Sequence, residues 1–424
     1  MKLSTPGSTQ ESELKAGLSD YNLDILSRKR AGLIWRLIFQ ASTIVGIIAL
    51  MILILNIINS AYGYTALKAK VDPDTLAVEG VPLEEQNHGQ LVAVLQSHIS
   101  GPAYKKLDNE KPFSERSEAD VRALVIARVV RLQVEKTWNL WDSLTKSGEI
   151  NTEVARDYPD AELRFTSWLN SDFINRPQTS EPVTAGIRTA IYGSLWTILF
   201  TVLVAFPIGV GAAIYLEEYA TDTWINRLIQ TNINNLAGVP SIVYGILGLA
   251  IFVRALEPLT SGQIFGIVDP TTANGRTVLS AGLTLGILVL PLIIINAQEA
   301  IRAVPVSLRR ASYGIGATKW QTTWSHVLPN SIPGILTGTI LAISRAIGET
   351  APLVVVGAST AISFDPASPF SKFTTLPIQI YQWTSRPQDE FRALAAAAIL
   401  VLLMLLLTLN AAAILLRNRY SGRF

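Results

Sequence analysis

The chain has no cysteine, which excludes disulfides, thiolate metal sites and cysteine nucleophiles. Histidine is almost missing. His88, His98 and His326 are scattered along 424 residues, and this argues against a zinc site. Charged residues make up only 16%, against about 25% in average soluble proteins. The net charge of +2 creates no global field that would favour nucleic acid as a partner. There is no Gly-rich P-loop either, so any ATP hydrolysis has to come from another subunit. Apolar side chains fill the space left by these absences. They account for 49% of the chain, and the mean hydropathy is +0.33.

Six segments are long and apolar enough to cross about 30 Å of hydrocarbon. They are Leu37–Ile58, Ile191–Ile214, Leu236–Val253, Val278–Ala297, Gly334–Thr360 and Ala393–Leu416. The reading is an all-α integral membrane protein with six transmembrane helices. The first run has 22 residues and begins after a polar stretch, so it is too long and too late for a signal peptide. Arg28, Lys29, Arg30 and Arg36 precede the first span. Arg302, Arg309, Arg310 and Lys319 follow the fourth, and Arg417, Arg419 and Arg423 follow the sixth. Six crossings put all three clusters on one side, which the positive-inside rule makes cytoplasmic. Both termini are then expected in the cytoplasm. Glu217, Glu218 and Asp222 fit that side poorly, although acidic residues carry little weight in the rule.

The chain divides into a cytoplasmic tail (1–36), the first span (37–58), an insert (60–186), a helical core (187–416) and a short cytoplasmic tail (417–424). Residues 1–27 are polar and read as disordered. The insert has 14 Lys and Arg against 19 Asp and Glu, and it is expected outside the cytoplasm and partly helical. Within it, Ser117–Leu144 carries apolar residues largely at three- and four-residue steps, which reads as helix. This part is either a cap packed on the bundle or a docking surface for a soluble partner. Pro207, Pro240, Pro291 and Pro352 each fall in a span. Proline removes a backbone donor and can break a helix, and membranes tolerate such breaks where protein or a lined cavity satisfies the backbone. Four in one bundle favour a transporter.

The fifth span is the only one with charge, Arg345 and Glu349. A charge at bilayer depth costs roughly 2.5–3.5 kcal/mol on insertion scales. Four-residue spacing on a helix puts both side chains on one face. The pair either fixes the bundle or handles a charged solute. Arginine suits an oxyanion, because its planar fork can donate two parallel bonds. Glu349 can hold Arg345 when no anion is present and compete with one that is. Softer candidates to line a path are Thr350, Asn234, Asn235, Ser241 and Tyr244, all of which also fit bundle packing.

Between the fourth and fifth spans, about 299–333, lies EAIRAVPVSLRRASYGIGATKWQTTWSHVLPNSIPG. It reads as a helix able to present Leu308 and Arg309 outward, a turn at Gly316, a second helical piece and a stop at Pro329. Here the chain resembles the permease subunits of bacterial ABC importers, whose coupling loop reads Glu-Ala-Ala, three residues, Gly, nine residues, Ile-x-Leu-Pro. Ala311, Gly316, Leu328 and Pro329 match, whereas Arg310, Ser312 and His326 depart. The blocks ASYGIGATKWQT, ISRAIGETAPL, NNLAGVPSIVYGILGLAIFV and AIYLEEYA resemble more narrowly the PstA-type permease of the phosphate-specific importer. The resemblance covers about 184–420 and the first span, and it leaves the insert unexplained.

The resemblance implies a type I importer permease fold in a bacterial inner membrane, with no catalytic residues of its own. It implies a PstC-type second permease, two copies of a PstB-type ATPase that uses ATP and Mg, and a PstS-type phosphate-binding protein. By the same resemblance Arg309, Ala311, Gly316, Ala317, Lys319 and Trp320 lie at the ATPase contact, and Arg345 is associated with phosphate passage. No cofactor is expected on this chain. Permeation of molybdate or sulfate, or a scaffold that signals phosphate status, are the competing readings.

Overall fold

The computed structural model describes residues 8–421 except 79, 111, 180, 268–274, 359–361 and 363–364. The expected end of the fifth span at Thr360 and the extreme termini lie outside the described residues. The chain forms two compact units, one ending at Ile57 and the other beginning at Ile58.

Helix α1, Ser8–Ala61, accounts for the first unit and runs into the second. It begins well inside the tail expected to be disordered. The tail is polar, but its Glu, Leu, Lys and Ala residues are good helix formers, so low hydrophobicity alone misjudged it. From Leu33 to Leu55 the large apolar side chains other than Ile54 are exposed, as a lipid-facing helix requires.

The insert is not helix alone. Strand β1, Tyr62–Ala69, is central in an antiparallel sheet of order β2-β1-β3, with β2 at Leu132–Thr137 and β3 at Glu162–Ser167. The single helix expected over Ser117–Leu144 is three elements. Helix Glu118–Val125 passes into a π turn, Ile126–Val130, and ends at Arg131 with φ 48. The strand LQVEKT follows, and then the short helix Leu140–Thr145. LQVEKT alternates apolar and polar residues, a two-residue period that the helical spacing around it concealed. Leu91, Leu95, Val121 and Val125 form the centre of the insert's own apolar core.

The elements that could cross the membrane are helices. Among the described residues, five helices are long and apolar enough to cross, or six if one bent pair counts as a span. In the second unit they begin with α2, Arg188–Ile214, which ends in a π turn at Tyr215–Tyr219. The bent pair is α3, Trp224–Ala237, and α4, Ser241–Gly248, prolonged to Ala255. Its two halves meet at 106°, so Leu236–Val253 is not one straight span. Helix α5, Val278–Arg302, is the most buried of these helices. Two short pieces follow, α6 at Val306–Gly314 and α7 at Lys319–Thr322. Helix α8, Leu328–Gly348, is followed by α9, Ala351–Val356. The core ends with α10, Leu376–Thr384, and α11, Asp389–Ser421.

The prolines divide by position. Pro207 and Pro291 lie inside unbroken helices, while Pro240 stands at the N-cap of α4 and Pro352 in the first turn of α9. Only the latter two mark breaks, since a first-turn proline loses no intrahelical bond. Pro329 does not stop the helix before it. A π turn, Thr323–Val327, leads straight into α8 and shifts the bonding register where the proline lacks its N–H.

Small residues let these helices meet closely, as membrane helices require. A Cβ on Gly248 would stand 2.1 Å from Thr284 Oγ1 in α5, and one on Gly245 2.6 Å from Pro352 Cα in α9. Gly245→Ala should therefore destabilise the purified protein by about 1–3 kcal/mol, read as a lowered thermal-unfolding midpoint in detergent. Gly211→Ala, with nothing within 4 Å of its added Cβ, should hold or slightly raise the midpoint, since alanine favours a helix interior.

Candidate functional site

Helix α8 ends at Gly348, and Arg345 lies in its last turn, where a cation complements the helix dipole. Glu349 has left the helix, with φ −73 and ψ 123. Thr350 bridges to α9 without a side-chain capping bond. The sequence suggested one helical face for Arg345 and Glu349. The break falls between them, yet the ion pair survives: Arg345 Nε stands 3.3 Å from Glu349 Oε1. The contact is long for a charge-assisted bond. The side chains differ in exposure, 48% for Arg345 and 16% for Glu349, so the carboxylate is set into the protein and the guanidinium opens outward. No other protein acceptor meets Arg345 among the described residues.

Helix α4 reaches this break through the Gly245–Pro352 approach. It brings Tyr244, 5% exposed, into the same apolar core as Ala342, Ala346 and Leu353. The Tyr244 hydroxyl donates to Leu236 O at 2.7 Å and spans the bend between α3 and α4. Ser241 opens α4 and is half-buried. The structure thus gathers Arg345, Glu349, Thr350 and Tyr244 around two helix breaks packed on each other.

Asn234 does not join them. It accepts from Gln230 Nε2 at 3.2 Å and lines a groove of about 520 Å³ with Glu217, Gln298 and Arg302. Gln230 and Gln298 hydrogen-bond each other there at 2.8 and 3.2 Å. Asn235 is exposed, and its carbonyl takes the Gly238 N–H that turns the chain.

The segment joining α5 to α8 is a built helix–turn–helix. Gly316 has φ 87, which glycine adopts without strain. Thr318 and Gln321 form a capping box on α7. Ser312, a departure from the resembling pattern, is buried and bonds Thr322 Oγ1 at 2.8 Å, tying α6 to α7. Ala311 is exposed and Ala317 half-buried. Lys319 lies over the Tyr219 ring, and Trp320 stacks on Trp324 with centroids 5.4 Å apart. Val306, Ile315, Trp320 and Trp324 leave an apolar face exposed.

Arg309 does not point outward, as the sequence suggested. Its guanidinium donates to Glu218 Oε1 at 2.8 and 3.1 Å and to the carbonyls of Ile301 and Val304 at 2.9 and 2.7 Å. It thereby caps the end of α5 and clamps α6 to the π turn after α2. Arg302 pairs with Glu217 alongside. These pairings explain Glu217 and Glu218, two of the acidic residues that fitted poorly on a basic side. The partners are 91 and 85 positions apart, beyond any local pattern.

The apolar bundle and its bent helix pair are those of a polytopic membrane protein. The chain belongs to the family of binding-protein-dependent transport system inner membrane components, whose model matches residues 181–420. Over 222 residues it is 32% identical to the probable ABC transporter permease YqgI of Bacillus subtilis, covering 52% of this chain and 69% of that one. It is 34% identical over 240 residues to the phosphate permease PstA of Mycobacterium leprae, covering 56% and 71%. It is 36% identical over 188 residues to the phosphate permease PstC of Xylella fastidiosa, covering 42% and 58%. The protein is a multi-pass inner-membrane permease subunit of an ABC-type solute importer. Such a subunit is not catalytic and works with a second permease, a separate ATPase and an extracytoplasmic binding protein.

Arg309 and Glu218 are 16% and 5% exposed. Removing one partner leaves an uncompensated buried charge, at about 3–5 kcal/mol. Glu218→Ala should lower the unfolding midpoint accordingly, and the double variant Glu218→Leu, Arg309→Met should recover most of the loss in the same assay.

Proposed function

We propose that this permease conducts inorganic phosphate and that Arg345 contacts the anion during passage. The carrying observation is the half-exposed guanidinium held by a single long contact to Glu349 at a helix break. Its free donors match the two-oxygen recognition of an oxyanion. Glu349, fixed beside it, competes for the cation and keeps the anion's hold weak enough for release. It also accepts a hydrogen bond from protonated phosphate, which sulfate cannot offer at neutral pH. Tyr244, Thr350 and Ser241 line the path nearby, with Asn234 and Asn235 further along. The phosphate permeases named among the relatives support the choice of anion. Molybdate or sulfate is the alternative cargo.

In this reading the chain is the PstA-type member of a pair with a PstC-type permease. A PstS-type protein delivers phosphate on the side of the insert, and two PstB-type ATPase subunits grip the cytoplasmic loops of the permease pair, meeting this chain at the face built from Ala311, Gly316, Ala317, Lys319 and Trp320. Arg309 acts behind that face by holding it against α2 and α5. The two termini and this face are cytoplasmic, which the Glu217 and Glu218 pairings support by cancelling the acidic charge on that side.

In the assembled transporter, Arg345→Gln should reduce labelled phosphate uptake roughly tenfold or more, the scale of one lost bond to a charged group, with assembly and ATPase activity retained. Arg345→Lys should restore part of it. Uptake unchanged in Arg345→Gln would reduce the pair to a structural one, and stronger competition by molybdate or sulfate than by phosphate would reassign the cargo. Regulation of phosphate-responsive genes that persists in the transport-dead variant would point to a signalling scaffold.

A further inference from the structure

We infer that the insert rests on the bilayer surface through the short helix Leu140–Thr145, with Trp141 and Leu144 seated in the lipid headgroup region. Three faces of this helix are distinct. Ser143 turns inward, where its Oγ accepts the Tyr64 N–H at 2.8 Å and donates to Asn139 O at 2.7 Å. Asp142 and Lys146 pair along the flank at 3.0 Å. Trp141 and Leu144, three residues apart and so on one side, are 68% and 69% exposed. No described residue covers them, although the insert has a core of its own that buries residues such as Leu91 and Val125 completely.

The membrane boundary identifies the occupant. The apolar run Leu37–Ile58 ends one residue before Asn59, and Asn59 Oδ1 accepts the backbone N–H of Trp141 at 2.7 Å. The exposed tryptophan is thus tied to the first polar side chain beyond a membrane span. At that level the surroundings are neither hydrocarbon nor bulk water. Tryptophan concentrates there because its ring is apolar and its indole N–H is polar. A leucine one turn on adds apolar area to a surface of the same kind. A soluble partner would have to enter the headgroup layer to reach these side chains, whereas lipid is already present. Because β1 leaves Ala61 directly and Tyr64 holds Ser143, contact at this helix would fix the tilt of the whole sheet relative to the membrane.

The absence of cysteine makes the test clean. The full chain carrying Leu144→Cys, labelled with an environment-sensitive fluorophore, is reconstituted in phosphatidylcholine–phosphatidylglycerol vesicles. Lipids spin-labelled at the headgroup or shallow in the acyl chain serve as one quencher, and aqueous iodide as the other. Thr152→Cys, on an exposed face of the next helix, is the control. Both substitutions are at exposed positions, so the fold is retained, and unchanged elution and unfolding midpoint check this. Lipid quenching at the Leu144→Cys probe several-fold above the control, with iodide quenching correspondingly below it, is the expected result. Equal iodide quenching of the two probes would overturn the inference. So would protection of the Leu144→Cys probe from iodide only in the fully assembled transporter, without quenching by lipid, since a protein would then be the cover.

Discussion

A charge taken out of water must be paired, and the core of this protein is arranged around that requirement. Arg309 and Glu218 show it most fully, because the arginine meets a carboxylate and two helix-end carbonyls in one place. The end of α2, the end of α5 and α6 are therefore held as one piece. The exposed face of Ile315 and Trp320 is built on that piece, next to the ends of the two helices that pack most extensively in the core. Arg345 and Glu349 obey the same requirement less completely, with one long contact and a guanidinium half open to its surroundings. The tightly satisfied pair is suited to holding structure, and the loosely satisfied one to exchanging partners.

Backbone breaks make the second pair usable. Glu349 leaves the helix just after Arg345, and α9 restarts at Ala351 with Pro352 in its first turn. The bend of 106° between α3 and α4 lies against the same region, through a glycine that leaves no room for a side chain at Pro352. At each break some backbone groups find partners within the chain, as a membrane favours: the Gly238 N–H meets Asn235 O and the Glu349 N–H meets Ala346 O. Tyr244 closes one of them by reaching back to Leu236 O.

Much of this was legible in residues alone. The spans announce themselves because uninterrupted apolar runs have few other uses, and Pro240 and Pro352 mark breaks where they fall at helix starts. Pro207 and Pro291 do not, since a proline's effect depends on whether its surroundings hold the helix together. The helix–turn–helix was readable from Gly316, but the outward Arg309 was not correct: its acceptors come from residues distant in sequence. In the insert, helical spacing hid the alternation of LQVEKT, because a strand is confirmed only by the partner it pairs with, and β1 lies about seventy residues upstream.

By itself the sequence determined the solvent of this protein, its family and the chemistry available to it: no thiols, scarce charge, six apolar runs, and an arginine and a glutamate in one of them. Composition and short-range pattern suffice for these, since hydrophobicity and helix propensity act locally. The tertiary structure alone decided which charges are partners, which prolines are breaks and which polar residues share a site. Asn234 went to one groove and Tyr244 to the Arg345 cluster though they are ten residues apart, because the bend between α3 and α4 turns the chain away. Such outcomes depend on contacts between segments far apart in the chain, and no local spacing records them.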